Sequence, residues 1–287
     1  MLKKPFVLVF LLAVVLCSCT GSESKTITLG TFNIEWLGDG VNDKITRTDE
    51  DYANIALVIK HTGADLLVLQ EIENENALKK ILQYLPGFGY HMAGTPGDQK
   101  LACIFRKDAG FGVDYIGDYP SLSFDTRLKP GMILHLRKGR IVIPLLAVHL
   151  KATSGRLYTD AENKEARSLR YRQAIAANRW ADSVIKKAGR KSLIIMGDFN
   201  DYIRTPSDTN NTLLPLASNK NLVFLPKGIK SSKYQNLKTI DHIVFSKDMA
   251  AKVKKHTLRM YDQNMALKDR QADKVSDHCP VLVNIGL

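Results

Sequence analysis

Residues 192–200 read Ser192-Leu193-Ile194-Ile195-Met196-Gly197-Asp198-Phe199-Asn200. A short apolar run, Leu193–Met196, is followed at once by a glycine, an acid and an amide. Such a run, bounded by turn formers, reads as a buried strand whose end carries polar chemistry. The same pattern repeats outward along the chain, with further strand-like runs at Ile27–Asn33, Leu66–Glu71, Leu101–Arg106, Ile141–His149, Ile240–Phe245 and Pro280–Ile285. Helical patterns lie between several of them. Thr48 and Asp51 have the spacing of a capping box ahead of Tyr52, Ile55, Ala56 and Ile59. A helix is expected over Asn74–Tyr84, and the longest from about Ala161 to Ala188. The long helix should bury Ala166, Leu169, Ile175, Ala177, Trp180, Ala181, Val184 and Ile185, keep its basic residues on the surface, and stop at Gly189. Gly131–Arg137, turning at Lys138-Gly139 into Ile141–His149, reads as a hairpin. Strands alternating with helices predict an α/β domain, and the hairpin predicts mixed rather than purely parallel sheets.

The 287 residues, 45% hydrophobic and 24% charged, suffice for a full core, which excludes a disordered tail or a disulfide-stapled miniprotein. A net charge of +12 favours polyanionic partners such as nucleic acid, phospholipid headgroups or polyphosphates. Lys3 and Lys4 precede an apolar run from Pro5 to Leu16, too short to span a bilayer and typical of a secretory signal. The stop at Leu16-Cys17-Ser18-Cys19 resembles a bacterial lipobox. That resemblance implies a signal peptide at 1–18, a lipidated Cys19 tethered to the cell-envelope membrane through 19–25, and a folded domain at 26–287; plain secretion is the alternative. Cys103 and Cys279 then remain, as one disulfide or, preferred here, as two buried thiols.

Acids, amides and imidazoles punctuate the strand ends. Asn33, Glu71, His149, Asp198 and Asn200 close strands, whereas Asp241 and the pair Asp277-His278 open them. If the last strands run antiparallel to the others, these side chains gather on one rim, where ligands commonly bind in open α/β sheets. Glu71, Asp277, Asn33 and Glu35 offer hard oxygen ligands that suit Mg²⁺. No His pair shows zinc spacing. His278 beside an acid such as Asp241 would be held in one tautomer as a general base, and His149 could supply a second proton-transfer or phosphate-binding group. Together they fit hydrolysis of a phosphate ester. Each residue alone has a plainer reading: a structural histidine, an Asx turn, or an acid ahead of a helix.

The segments TFNIEWL (31–37), LLVLQEIE (66–73), AVHLKA (147–152), IIMGDFND (194–201), TIDHIVFS (239–246) and SDHCPV (276–281) resemble, in series, the motifs of the endonuclease/exonuclease/phosphatase superfamily with its deoxyribonuclease I-like fold. The resemblance implies a four-layer sandwich of two central mixed β-sheets flanked by helices, with a divalent-metal phosphodiesterase or phosphatase site. It implies Glu71 as principal metal ligand, supported by Asn33 and Asp277, with Glu35 as a further acidic candidate. Asp198 would act at the water or leaving group, and Asn200 would bind the phosphate. His149 and His278 would be the catalytic histidines, the latter oriented by Asp241, with the acid and base roles left open. Mg²⁺ is the expected cofactor, with Mn²⁺ or Ca²⁺ as alternatives. Arg127, in FDTRLKP, falls where members place a phosphate-contacting arginine; a solvated loop charge is the other reading. One departure stands out: where members carry a Glu that pairs with the first histidine, this chain has Gly97-Asp98-Gln99-Lys100.

The late segment lacks the Trp-Cys-Asp-Arg run of inositol phosphatases, and the long Arg170-to-Ala174 helix segment looks more like extracellular bacterial nucleases. Between Pro226 and Arg259 nine basic residues stand against two acids, either a DNA-contacting face or a solvated one. The expectation is a monomeric, tethered nuclease of low sequence specificity acting on DNA, with no protein partner implied. A phosphodiesterase or phosphatase on small or lipid phosphate esters is the alternative, and a non-catalytic binding module a third.

Overall fold

In chain order the elements are β1 (Thr26–Leu37), α1 (Asp49–Thr62), β2 (Leu66–Ile72), α2 (Glu75–Leu82), β3 (Phe88–Met92), β4 (Lys100–Arg106), β5 (Gly112–Tyr119), β6 (Gly131–Lys138), β7 (Ile141–His149), α3 (Asp160–Lys186), β8 (Ile194–Asp198), α4 (Leu214–Ala217), β9 (Leu222–Leu225), β10 (Asp241–Ser246), α5 (Lys247–Ala250), β11 (Arg259–Met260), α6 (Asp269–Ala272) and β12 (Val281–Gly286). The structure is a computed structural model and describes residues 26–153, 159–187, 192–225, 229 and 238–287. Cys19, Gly189, Lys227, Lys230 and Lys233 lie outside the described residues.

The strands form two six-stranded sheets, ordered β11-β12-β1-β2-β4-β3 and β5-β6-β7-β8-β10-β9. Only β1 with β2 and β7 with β8 pair in parallel; the other neighbours are antiparallel, so both sheets are mixed. Three apolar clusters define four layers. Leu29, Val68, Leu145, Ala147, Ile194, Met196, Ile243 and Val283 fill the space between the sheets. Phe32, Leu67 and Leu69 pack outward against Ile55 and Ile59 of α1 and Leu78 and Ile81 of α2. Leu146, Val148 and Ile195 pack against Ala174, Ala177 and Trp180 of α3 on the other side. The expected helix–sheet–sheet–helix sandwich is therefore present.

Local sequence explains most element ends. Thr48 and Asp51 make the reciprocal capping box of α1, Gly63 ends that helix in a left-handed conformation, and Asn74 caps α2. Helix α3 corrects one expectation. Arg170 is not on the surface; it is 2% exposed and turns inward with Gln173, while Ile175 is only half-buried. Helical geometry puts 170, 173, 174 and 177 on one face, and the polar pair is buried because each polar atom finds a partner there. Cys103 and Cys279 are buried free thiols, as preferred.

Candidate active site

Strand periodicity builds the site. In β8, Ile194 and Met196 point between the sheets, so Asp198 points there too, at the open end of the cleft. The same parity carries Asn33 past Leu29 on β1, His149 past Leu145 and Ala147 on β7, and Asp241 ahead of Ile243 on β10. Because β10 pairs antiparallel with β8 and β12 with β1, Asp241 lies opposite Asp198, and the Ser276–His278 turn arrives beside Asn33. Glu71 breaks the alternation: a left-handed φ of 64° swings it back to the rim, and a bulge with Glu35 and Trp36 at φ 55° and 52° does the same for the end of β1. Such angles cost non-glycine residues energy and are held here by hydrogen bonds to the site.

Asp198 is the hub. Its Oδ2 accepts from Asn33 Nδ2 and from Asn200 Nδ2, each at 3.2 Å, and its Oδ1 accepts from the Asn200 backbone at 2.7 Å. His149 Nε2 stands 3.7 Å and His278 Nε2 3.8 Å from Oδ2. Asn33 joins this acid to Glu71, whose Oε1 takes the other amide hydrogen at 3.2 Å and whose Oε2 accepts from Trp36 N. His278 Nδ1 lies 2.8 Å from Asp241 Oδ2. The rim predicted from the sequence thus assembles Asn33, Glu71, His149, Asp198, Asn200, Asp241, Asp277 and His278.

Three residues sit differently from expectation. Both amide hydrogens of Asn200 are committed, to Asp198 and to Leu150 O, so in this structure it positions the acid instead of presenting its amide to a phosphate. Glu35 accepts the backbone hydrogen of Asp277 at 3.0 Å and so braces the last turn. Arg127 reaches the cleft mouth but is held by Asp125 and Glu165, each at 2.9 Å. The basic stretch after Ser246 is also displaced. β10 and β12 run away from the rim, and Lys254 N bonds to Asn284 O near the end of β12. Six strand residues from the rim is about 20 Å, so Lys247, Lys252, Lys254 and Lys255 lie at the opposite end of the molecule.

Other residues that shape the site are not among those the sequence reading assigns to it. Arg170 donates to Lys151 O and Thr212, and pairs with the buried Asp201 at 3.4 Å, fixing the loop after Asn200. Buried Gln173 accepts from Lys151 N. Arg47 donates to Ile34 O and Glu35 O from one nitrogen and to Lys274 O from another, tying the β1 bulge to the turn before His278. Asp201 closes the IIMGDFND segment, and Arg170 and Gln173 stand in the 170–174 helix segment, where their shared helical phase is the signal for burial.

The electrostatics separate the two histidines. Burial, then the charges of Lys129, His278 and Lys151, pushes His149 down to about 3, so it is neutral near neutral pH. Burial also opposes a charge on His278, but Asp241, with Asp198 and Asp277, outweighs it and holds that imidazole well above its ordinary value. Burial raises Asp198, the proximity of His278 lowers it and Asp241 raises it again, leaving it above the usual carboxylate range.

The sequence profile of the endonuclease/exonuclease/phosphatase family matches residues 30–278. The chain belongs to that family. No curated protein sequence matches it. Among solved structures, truncated Caenorhabditis elegans TDP2 is similar at TM-score 0.65 and 16% identity, covering 92% of this chain and 99% of that one. A Bacteroides thetaiotaomicron mannosyl-6-phosphatase is similar at 0.61 and 18%, covering 90% and 98%. The human Nocturnin catalytic domain with bound sulfate is similar at 0.57 and 17%, covering 92% and 94%. At these identities the likeness is one of fold. As an endonuclease/exonuclease/phosphatase family member the chain is a hydrolytic enzyme with candidate metal-binding clusters.

Two groups of described acids and histidines are close enough to share an ion: Asp198, Asp241 and His278, and Asp39, Asp43 and Glu73. The first is already an acid–imidazole–acid chain, with His278 Nδ1 spent on Asp241. The donors that fit a hard divalent cation are the oxygens of Glu71, Asn33 and Asp277; each Glu71 oxygen accepts a hydrogen bond and retains a lone pair.

Gly197 fixes the close approach of β8 to β7 beside Asp198. Its φ is 148°, and an added Cβ would lie 1.9 Å from the Val148 carbonyl oxygen. Gly197→Ala is expected to cost about 3 kcal/mol or more by forcing β7 and β8 apart. Urea denaturation checks this; an unchanged midpoint would show that the strands absorb the methyl group.

Proposed function

We propose that the protein is a Mg²⁺-dependent phosphodiesterase, a nuclease of low sequence specificity that cuts DNA outside the cytoplasm while anchored through a lipidated Cys19. The observation that carries the catalytic part is the placement of buried Asp198 between His149 and a His278 backed by Asp241. Glu71, Asn33 and Asp277 would hold the ion, with Mn²⁺ or Ca²⁺ as alternatives, and a bound ion would supply charge neutralisation at the phosphoryl oxygens.

The chain's own groups do the rest. Asp198 Oδ2 orients the attacking water and takes its proton, and Asn33 and Asn200 hold that oxygen in place. His278 keeps a proton on Nε2 for the pentavalent phosphoryl oxygens or the leaving oxygen, because Asp241 stabilises its cation through Nδ1. Neutral His149 contributes a hydrogen bond from the opposite wall. The DNA and envelope parts rest on the basic composition and on the lipobox-like start. A smaller phosphate ester is the second reading, favoured by the position of the 247–255 lysines far from the rim.

Plasmid nicking by the mature protein in Mg²⁺, with and without EDTA, tests this, with bis-p-nitrophenyl phosphate in parallel. Metal-dependent nicking is expected. Cleavage of the small diester with intact DNA would move the substrate to the second reading, and neither activity would refute the catalytic assignment.

A further inference from the structure

Beside the Asp198 hub, on the β7 side, lies a cleft of about 110 Å³ lined by Glu71, Gln99, Lys129, His149, Lys151 and Gln173. Its polar groups do not balance. The Lys129 ammonium, largely withdrawn from water, donates to the neutral Gln99 amide oxygen. Neither Lys129 nor Lys151 forms an ion pair with a carboxylate among the described residues. His149 Nδ1 is buried with no hydrogen-bond partner. Two amines therefore face a space whose only lining acid, Glu71, is turned toward Asn33 and Trp36.

The walls are built rather than incidental. Gln173, wholly buried, accepts from Lys151 N and donates to Leu122 O, and Arg170 holds Lys151 O, so the backbone carrying Lys151 is fixed on both sides. Water takes roughly 30 Å³ per molecule in the liquid. The cleft thus has room for a phosphoryl group.

We propose that this cleft is an anion subsite that receives a second phosphoryl group of the substrate, adjacent to the one at Glu71, with Lys129 and Lys151 as its specificity-determining contacts. The proposal rests on the phosphate-ester reading above. An anion there satisfies two ammonium groups. Charge-assisted hydrogen bonds of this kind are the strong ones. The second phosphate is either terminal or the next one along a chain.

The test is calorimetric binding, with Mg²⁺ present, of thymidine bisphosphonate carrying non-hydrolysable phosphonates at the 3′ and 5′ positions, against the two monophosphonates. The bisphosphonate is expected to bind at least about tenfold more tightly than either. Lys129→Met and Lys151→Met, each checked for folding by circular dichroism, should each shrink that advantage, and Lys129→Arg should keep most of it. Equal affinity for bis- and monophosphonates, or an advantage that survives both Met variants, overturns the subsite. Competition by a thymidine dinucleotide and trinucleotide separates the sources: tighter binding of the trinucleotide supports a chain neighbour, and no difference supports a terminal phosphate. Binding does not require turnover. A bisphosphonate advantage in a protein that nicks no DNA and cleaves no diester would retain the subsite and refute the hydrolase reading.

Discussion

Asp198→Asn should lower kcat/KM for bis-p-nitrophenyl phosphate by about 10³-fold while leaving the protein folded. The substitution is nearly isosteric, but it replaces the oxygen on which Asn33, Asn200, His149 and His278 converge with a group that cannot take a proton. Loss of a positioned general base costs about 10²–10⁴-fold. Stability should move the other way. Burial already raises the Asp198 carboxyl, so its charged form is a burden on the folded state at neutral pH, and a neutral amide removes it. A melting temperature at or above that of the parent, together with the kinetic loss, is the expected pair of results. A rate loss below tenfold would remove Asp198 from the chemistry.

Asp241→Asn is expected to lose both activity and stability. Asp241 Oδ2 sits 2.8 Å from His278 Nδ1, and the other charged groups facing that ring are Asp198 and Asp277. Removing one partner of a buried ion pair costs about 3 kcal/mol. The sign follows from the raised His278 value. A histidine whose folded pKa exceeds its unfolded one contributes stability fully below the unfolded value, and loses it as the pH rises through the folded value. The gap in melting temperature between parent and variant should therefore be largest near pH 6 and close at alkaline pH. The activity should fall about 10²–10⁴-fold, with the alkaline limb of the pH–rate profile displaced to lower pH. A limb that stays in place would mean that Asp241 does not set the His278 proton.

The strands missing from the sequence reading share one physical property. β3, β5, β9 and β11 all lie at sheet edges, where a strand has one neighbour and a partly exposed face, so the apolar alternation that marks β8 or β7 is diluted. Central strands were legible because both their faces are buried. The same logic explains Arg170. A charge on a helix reads as surface until the tertiary structure supplies Asp201, Thr212 and the Lys151 carbonyl as partners.

The sequence by itself determined the α/β class, the central strands, the capping of α1 and the set of polar residues at strand ends, because strand periodicity and turn chemistry are local properties. It also marked the departure at Gln99. Tertiary structure alone decided what those residues do to one another. It turned Glu71 inward through a left-handed backbone, committed Asn200 to Asp198, separated a neutral His149 from a charged His278, and carried the 247–255 lysines to the far end. It likewise brought Lys129 and Lys151 to the cleft, which no motif marks. Burial, hydrogen-bond partners and charge separation depend on residues distant in sequence meeting in space, and a linear pattern does not contain them.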